Sequence, residues 1–478
     1  MLRLIVSEFK KIFKIKLNII LIVIAIIGTM SFAYLKYYEY DDSSDYNFQY
    51  ANLDGETISG VEVIQNVDKV LHKYKGEWNK DTITRLDTEY KKLLQQFPAD
   101  EIDEMEMEKH YGKNYKQLVE HFQNGTLTNE VVDKYISEND IGLYLVEPVD
   151  KPEGPNLSNI PIYYKNTPIR NLICKSFTGN SLSRYSDQDN AVINTEEYNY
   201  MLSVVDERKV DLPKGFELEV LQYYGLSEKE IEQLYNYLEV QVQTLPTTFD
   251  SSLPNEMLIL TLLSTLWIAI LAIMIILANT FSMEKQYNMD QLIYSTKQGK
   301  LKITIAKVIT CSLFSIMMMG VIILSCFIVS WIVLPVHTWD MSMFSGSIQN
   351  SAFTYSYLFM YMFMLVMTAA LATGVLTMMI SYITKNQFVV IIAMFLFTVA
   401  GFPLSQSGTY PDLILSILPY NMMIFAGYFA NPHFNFPYAF INDQVIPLRD
   451  VALSVWPVLF LIICVGIIIH SRKSYIRS

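Results

Sequence analysis

Six long runs of apolar residues limit what this chain can fold into. They lie at 17–35, 258–281, 308–334, 357–383, 388–404 and 451–470, with polar segments between them. A helix of about 20 mainly apolar residues crosses the hydrocarbon core of a bilayer. Because unpaired backbone groups are costly in lipid, such runs are expected to be helical. The sequence therefore predicts an α-helical polytopic membrane protein with six transmembrane helices.

Acidic residues are concentrated between the first and second apolar runs. From 36 to 250 the chain has 40 acidic and 21 basic residues, whereas the rest of the chain is net basic. Ser227 and Glu230 form a capping-box pattern, and apolar residues at helical spacing begin at Val61, so helices are expected. A Pro- and Gly-containing stretch at 140–192 predicts loops and short strands. We predict a mainly helical α+β domain at 36–255, inserted after the first span.

Lysine and arginine are distributed asymmetrically across the expected spans. With the N-terminus inside, the segments on its side carry fourteen of them, whereas the short loops 335–356 and 405–450 carry only Arg449. Cytoplasmic loops of membrane proteins are enriched in these residues. Both termini and the loop 282–302 are therefore expected in the cytoplasm, and 36–255 is expected to be extracellular.

The first sixteen residues resemble neither a loop nor a removable signal. No small-residue cleavage site follows the run at 17–35, so we interpret that run as a retained anchor. Residues 1–16 predict a cytoplasmic amphipathic helix. Its apolar face carries Leu2, Ile5, Phe9 and Ile12, and its polar face carries Lys10, Lys11 and Lys14.

Motifs for catalysis, metal binding and nucleotide binding are missing from the sequence. There is no H-E-x-x-H, no G-x-S-x-G and no G-x-x-x-x-G-K-[ST], and no basic patch interleaved with aromatics that would bind nucleic acid. Of the four cysteines only Cys174 lies in the outer domain, so we expect a buried thiol and no disulfide there. We expect no catalytic site, no metal and no cofactor in this chain.

Asp, Glu, Lys and Arg are also missing from the second to sixth apolar runs. Ion-driven transporters carry such residues at membrane depth as relays or ion sites, and charged rings select ions in many channels. Their absence argues against both classes. If the protein moves a substrate, we expect the energy to come from another subunit.

The segment 282–302 is longer than a simple turn between two spans requires. Asn288 and Gln291 form a cap-like pair, and Met289, Leu292 and Ile293 then share one helical face. A helix this short is unstable alone, which favours docking into a groove of a partner. The alternative is an interfacial turn lying on lipid headgroups.

The stretch FSMEKQYNMDQLIYSTKQGKLKITIAKVI resembles the loop between the second and third membrane helices of type-2 ATP-binding-cassette (ABC) exporter permeases. The residues that carry this resemblance are Phe281, Glu284, Gln291, Leu292, Ser295 and Lys307, although the turn STKQGK lacks the family's common proline. The segment LRLIVSEFKKIFKIK is similar to the family's N-terminal connecting helix. The segment 411–429, PDLILSILPYNMMIFAGYF, resembles its re-entrant helices, broken at Pro419.

The resemblance implies a permease subunit that exports or extracts a hydrophobic or amphipathic substrate: a lipid, a peptide or an antimicrobial. ATP and Mg would bind to a partner, so this chain is not itself an enzyme. The implied partners are two ABC ATPase subunits, a second permease half that is identical or related, and the lipid bilayer of a bacterial plasma membrane. One branch of the family carries a large outer domain at this position.

The resemblance also implies roles for individual residues. The ATPase-coupling residues would be Glu284, Met289, Gln291, Leu292, Ile293 and Ser295. The connecting helix would contribute Ile5, Phe9, Lys10 and Lys11. We expect Glu284 to pair with Lys10 or Lys11, so that the coupling loop and the N-terminal helix move together.

Two other functions remain open. The chain could be a membrane sensor or an antimicrobial-peptide immunity protein, with an outer domain that binds a ligand and a membrane part that signals. A membrane-anchored peptidase lacks a catalytic constellation in this sequence. An ATPase encoded beside the chain, or purified with it, would distinguish the permease from both.

Overall fold

A computed structural model describes most of the chain. The described residues are 1–39, 50–77, 79–99, 101–124, 126, 128, 131, 134–135, 137, 164–178, 227–242, 248–251, 253–286, 299–334, 336–337, 339–341, 354–384, 386–399, 418–419, 422, 438–441 and 444–476.

Helices dominate the described residues. In chain order they are α1 (Leu2–Lys14), α2 (Lys16–Glu39), α3 (Val61–His72), α4 (Lys80–Gln96), α5 (Glu104–Tyr111), α6 (Tyr115–Gln123), α7 (Thr167–Thr178), α8 (Glu228–Val242), α9 (Leu253–Leu277), α10 (Asn279–Gln286), α11 (Gly299–Val333), α12 (Tyr355–Ile383), α13 (Gln387–Val399) and α14 (Leu448–Ile476). The strands are β1 (Tyr50–Ala51), β2 (Thr57–Ile58), β3 (Gly76–Glu77), β4 (Thr248–Phe249), β5 (Tyr438–Ile441) and β6 (Gln444–Pro447). Strands β1 and β2 pair antiparallel, as do β5 and β6.

Among the described residues, five helices are long and apolar enough to cross a membrane. They run over Lys16–Tyr38, Leu253–Glu284, Leu301–Val333, Tyr355–Ile383 and Asp450–Arg472. The second of these is α9 continued by α10. Such a set of helices agrees with the expected multi-pass membrane protein.

The sixth expected span, 388–404, is described only in part. Its described part is α13, which ends at Val399, and 400–404 lie outside the described residues. A helix of 13 residues is about 20 Å long, shorter than the hydrocarbon core of about 30 Å. Within the described residues the chain has five helices of spanning length and the shorter apolar α13, so the sixth span stays a prediction.

The chain divides into two compact units. One comprises Tyr38–Leu202 with Phe249–Ser251, and the other comprises Met1–Tyr37, Ser203–Thr248 and Ser252–Ser478. Residues Ser203–Thr248, which the sequence placed in the outer domain 36–255, thus group with the helices that span the membrane. The helix boundaries also differ slightly from the expected ones, since α2 continues to Glu39 and α9 begins at Leu253.

The first unit, Tyr38–Leu202 with Phe249–Ser251, is built around α3, α4 and α7. Ile64 of α3, Tyr90 of α4 and Leu172 of α7 are almost fully buried in its core. Cys174 is buried as expected, with its Sγ 3.4 Å from the Tyr90 hydroxyl. Burial raises the pKa of the Cys174 thiol above its ordinary value.

The buried Asp250 of this unit is paired with basic side chains, and the start of α4 is capped. The buried Asp250 carboxylate lies 2.8 Å from His72 Nδ1 and 3.3 Å from Lys75 Nζ. Asn79 caps α4, since its side chain accepts a hydrogen bond from Thr82 N. The contacts of Asp250 with His72 and Lys75 fix the unit's final segment, Phe249–Ser251, against the end of α3.

The capping box predicted for α8 is present. Ser227 N donates to Glu230 Oε2 at 2.8 Å, and Glu230 N donates to Ser227 Oγ at 3.4 Å. This reciprocal pair satisfies donors that a helix start leaves unpaired. The helix starts at Glu228, where the sequence placed it.

The membrane helices pack around α9, α11 and α12. Ile270, Phe314 and Leu365, one on each of these helices, are completely buried. At Gly374 of α12 the helices come close, because a Cβ there would lie 2.0 Å from Ser315 Oγ of α11. By contrast, the helices Lys16–Tyr38 and Asp450–Arg472 keep most of their apolar surface exposed, as expected of helices that face lipid.

Candidate functional site

Four charged residues meet where three helices of the membrane unit end or begin. Glu8 and Lys11 lie on α1, Glu284 lies near the end of α10, and Lys307 lies in the third turn of α11. We call these four residues the Glu284 cluster. It contains two acids and two bases, so its formal charge is zero.

Glu284 joins α1 to α11. Its Oε1 lies 3.5 Å from Lys11 Nζ, and its Oε2 lies 2.5 Å from Lys307 Nζ. Lys11 also contacts Glu8 Oε1 at 2.5 Å, within the same helix. The pairing of Glu284 with the N-terminal helix that we expected is therefore present, through Lys11.

Lys307 is the most enclosed member of the Glu284 cluster, with a side chain only 1% exposed. Its ammonium donates to the Thr280 carbonyl oxygen at 2.7 Å and lies 4.5 Å from the centroid of the Phe281 ring. A buried charge is tolerated when it is paired and hydrogen-bonded. Glu284, Thr280 and Phe281 supply these contacts from one helical turn of α10, so burying Lys307 holds that turn against α11.

Lys11 closes the opposite side of the Glu284 cluster and is half exposed. Partial burial lowers its pKa, but the contacts with Glu8 and Glu284 raise it by more, so the net pKa lies above the ordinary value. The ammonium is therefore charged throughout the physiological pH range. Its contribution is positional, because partly exposed ion pairs stabilise by only about 0–1 kcal/mol.

Apolar contacts fix α1 to α11 beside the Glu284 cluster. The rings of Phe9 and Phe13 are tilted against each other with centroids 5.4 Å apart, and both contact the fully buried Phe314 of α11 at centroid distances of 6.4–6.5 Å. Thr310 of α11 donates its hydroxyl to the Ile5 carbonyl oxygen at 3.3 Å. Ile5, Phe9 and Phe13 follow one another at four-residue spacing on α1, and all three contact Thr310 or Phe314 of α11. These contacts therefore hold two successive turns of α1 against α11.

A serine from α12 enters the junction between α9 and α10. The Ser381 hydroxyl accepts hydrogen bonds from Phe281 N and Ser282 N, both at 3.1 Å, and donates to the Ala278 carbonyl oxygen at 2.8 Å. In an uninterrupted helix Ser282 N would donate to Ala278 O directly. A side chain inserted in this ladder bends a helix, and it explains why α9 and α10 are separate elements.

Two further polar contacts connect the same ends of the helices. Tyr382 of α12 has its hydroxyl 2.9 Å from His470 Nδ1 of α14. The hydroxyls of Thr304 on α11 and Ser471 on α14 are 3.1 Å apart. Together with the Glu284 cluster and Ser381, these contacts form a closed circuit through α10, α11, α14 and α12, to which α1 is attached. Displacing α10 would therefore strain contacts to every helix in the circuit.

The connection between α10 and α11 is shorter than the predicted loop 282–302. Residues 282–286 continue α10, and α11 already begins at Gly299. Met289, Gln291, Leu292, Ile293 and Ser295 lie outside the described residues. Of the expected coupling residues only Glu284 is described, so the short helix in this loop stays a prediction.

The expected residues of the connecting helix divide into two groups. Ile5 and Phe9 contact α11 as described above, and Lys11 belongs to the Glu284 cluster. Lys10 is exposed and pairs with no acidic side chain among the described residues.

Pro419, expected to break the re-entrant segment 411–429, occupies the first turn of a helical stretch. Met422 N donates to the Leu418 carbonyl oxygen at 3.0 Å, so Pro419 stands where its missing N–H costs nothing. Apart from 418–419 and 422, the re-entrant segment lies outside the described residues.

Sequence reasoning missed Glu8 and Ser381, and it counted Lys307 as a cytoplasmic charge and as a residue of the resembling loop without expecting its burial or its pairing with Glu284. One signal could have drawn attention to Lys307: it lies inside α11, several residues beyond Lys302, with an uncharged run of spanning length after it. An ionisable residue in that position usually has a partner and a role. No comparable signal marks Ser381, because serine is common in membrane helices.

Comparison with known proteins assigns no family. The chain matches no protein-family model, no curated protein and no solved structure at a significant level.

Proposed function

We propose that this chain is the permease subunit of a type-2 ABC exporter. In this proposal it exports or extracts a hydrophobic or amphipathic substrate, using ATP that a separate subunit hydrolyses. The observation that carries the proposal is the simultaneous contact of Glu284 with Lys11 of α1 and Lys307 of α11. A coupling loop needs such an attachment, because movement received there must reach the spanning helices.

The position of the Glu284 cluster suits transmission of force. The connection 287–298 leaves α10 two residues after Glu284 and enters α11 eight residues before Lys307. A partner that moves this connection would therefore act on α9, through α10, and on α11. Since α1 is fixed to both by the Glu284 cluster and by Phe314, it would move with them.

The charges of the described spans support an external energy source. Those on α9 and on the spanning part of α14 lie at helix ends, and α12 and α13 contain no Asp, Glu, Lys or Arg. Lys307, which lies further in, is paired with Glu284 and hydrogen-bonded. Proton- or sodium-driven transport would need an ionisable relay at membrane depth. We therefore assign ATP and Mg to two ABC ATPase subunits.

The proposal includes an assembly and an orientation. A second permease half, identical or related, would complete the path through the bilayer of the plasma membrane. Both termini and 287–298 would face the cytoplasm, and the unit Tyr38–Leu202 would face outward. The excess of lysine and arginine on the N-terminal side supports this orientation.

Purification of the tagged full chain in mild detergent tests the proposal. We expect an ATPase encoded near the chain to copurify, and we expect vanadate-sensitive ATP hydrolysis that responds to candidate lipids or peptides. Replacing both Leu292 and Ile293 by Asp should release the ATPase at normal expression. Lys300→Ala is the control and should retain it.

Two results would count against the proposal, the first against the permease itself and the second against the coupling role of the loop 287–298. The first is absence of any copurifying ATPase, together with saturable ligand binding to the outer unit, which would favour a sensor or immunity protein. The second is retention of the ATPase by the Leu292 and Ile293 double variant, with transport intact. That result would leave the permease standing and would remove the coupling role from the loop.

A further inference from the structure

Helix α1 has an outer face that the membrane unit does not cover. At 100° per residue, Leu2 and Val6 lie about 40° apart on the helix surface, next to the sector of Arg3, Lys10 and Lys14. The opposite side of the helix carries Glu8 and Ile12 and packs inward. We call the surface formed by Leu2, Val6, Arg3, Lys10 and Lys14 the α1 outer face.

The α1 outer face combines exposed apolar and exposed basic side chains. Leu2 is 74% exposed and Val6 is 44% exposed. Arg3, Lys10 and Lys14 are exposed as well, and none pairs with an acidic side chain among the described residues. The only ion-paired base of the described helix is Lys11, which lies at the other edge of this face and belongs to the Glu284 cluster.

The position of α1 fixes the depth at which this face lies. Only Ile15 separates α1 from α2, which begins at Lys16 and is the first spanning helix. Leu17, Ile20 and Ile24 of α2 are exposed, as required of a helix surrounded by lipid. Because α1 is also held against α11 by Phe314, it lies at the level where the chain enters the bilayer.

We propose that the α1 outer face binds anionic phospholipid headgroups of the leaflet at which the N-terminus lies. Leu2 and Val6 would enter the boundary of the acyl chains, while Arg3, Lys10 and Lys14 contact headgroup phosphates. The positive charge of the α1 outer face favours anionic lipid as its ligand, because amphipathic helices with a basic polar face bind anionic bilayers. Each basic residue near such a surface favours binding about fivefold. This inference does not depend on the proposed export function.

Site-selective fluorescence quenching in the full chain tests this assignment. Val6→Cys, labelled with a maleimide fluorophore, would report on the lipid next to the face. The four native cysteines are buried, and the unsubstituted chain serves as the labelling blank. The labelled protein is placed in phosphatidylcholine nanodiscs containing a low fraction of acyl-brominated phosphatidylglycerol or of acyl-brominated phosphatidylcholine.

We expect the brominated phosphatidylglycerol to quench at least about twice as strongly as the zwitterionic lipid at equal fraction. The triple variant Arg3→Gln, Lys10→Gln, Lys14→Gln should bring the ratio to about one. A matched control is Lys91→Gln, Lys109→Gln, Lys116→Gln, which removes the same charge from exposed sites on α4, α5 and α6. This control should leave the ratio unchanged.

A salt titration of the labelled Val6→Cys protein, with no charge substitution, accompanies the comparison of variants. The ratio of quenching by brominated phosphatidylglycerol to quenching by brominated phosphatidylcholine should fall towards one as salt rises from 0.1 to 1 M. Salt should have this effect because the Debye length shrinks from about 10 Å to about 3 Å. Equal quenching by the two lipids at low salt would overturn the proposal. Absence of quenching by either lipid would also overturn it and would indicate that a protein covers this face.

Discussion

Replacing Glu284 by Gln should destabilise the membrane unit more than replacing Lys307 by Met. The two residues form one ion pair, with 2.5 Å between Lys307 Nζ and Glu284 Oε2, but their surroundings differ. Glu284→Gln leaves the Lys307 ammonium almost fully enclosed, with the Thr280 carbonyl oxygen and the Phe281 ring as its remaining partners. Lys307→Met leaves a carboxylate that is 20% exposed and still lies 3.5 Å from Lys11.

The expected magnitudes follow from this asymmetry. Breaking a buried pair by removing one partner costs about 3–5 kcal/mol, and Lys307 meets that description in Glu284→Gln. The contact to Thr280 retains part of the stabilisation, so we expect about 3 kcal/mol for Glu284→Gln. Water and Lys11 reduce the cost of Lys307→Met to about 1 kcal/mol. The double variant should be less destabilised than Glu284→Gln alone, because no uncompensated ammonium remains.

Thermal unfolding in detergent measures these differences. The four cysteines are all buried, so a thiol-reactive fluorogenic dye reports unfolding without added labels. We expect Glu284→Gln to lower the melting temperature by roughly 5–10 °C and Lys307→Met by a few degrees. Lys10→Gln is the matched control, since Lys10 neighbours Lys11 but is exposed and lies outside the Glu284 cluster.

A larger loss for Lys307→Met than for Glu284→Gln would refute the reasoning. So would a double variant whose destabilisation equals the sum of the two single losses, because residues in direct contact should be coupled. Either result would mean that Lys307 is hydrated or that the pair does not form.

Three further outcomes are expected. Gly374→Ala should destabilise by about 1–3 kcal/mol through overpacking against Ser315, and Ser315→Gly in the same chain should restore much of the loss in the dye assay. Cys174 should resist alkylation at neutral pH until the protein is denatured, because burial raises the pKa of its thiol and excludes the reagent. Mass spectrometry of the labelled peptide measures this, and rapid labelling of the folded protein would contradict it. In intact cells a membrane-impermeant maleimide should label Thr88→Cys but not Ser7→Cys, both exposed positions, and the reverse pattern would invert the proposed orientation.

Local sequence was sufficient to predict several elements. Apolar runs of spanning length predicted five helices that the structure contains, because the hydrocarbon core requires that length whatever the neighbouring helices are. The box of Ser227 and Glu230 predicted the start of α8, because both partners lie within one turn. The amphipathic pattern at 1–16 predicted α1 for the same reason. Each of these depends on residues close together in the chain.

The contacts of the candidate site depend on residues far apart in the chain. Charge alone suggested that Glu284 would pair with Lys10 or Lys11, and only the packing of α1 on α11 decides between those neighbours, by directing Lys11 towards Glu284 and leaving Lys10 exposed. Ser381 lies about a hundred residues from the junction that it enters, and nothing in its local sequence marks that contact.

The sequence by itself determined which segments enter the membrane and which faces of them are polar, since both follow from transfer of side chains and backbone between water and lipid. The tertiary structure decided which helices are neighbours, and hence that Lys307 is enclosed and that Ser381 interrupts the helix formed by α9 and α10. Which helices become neighbours depends on how their whole surfaces pack together. The sequence near a residue therefore does not indicate a partner that lies a hundred positions away.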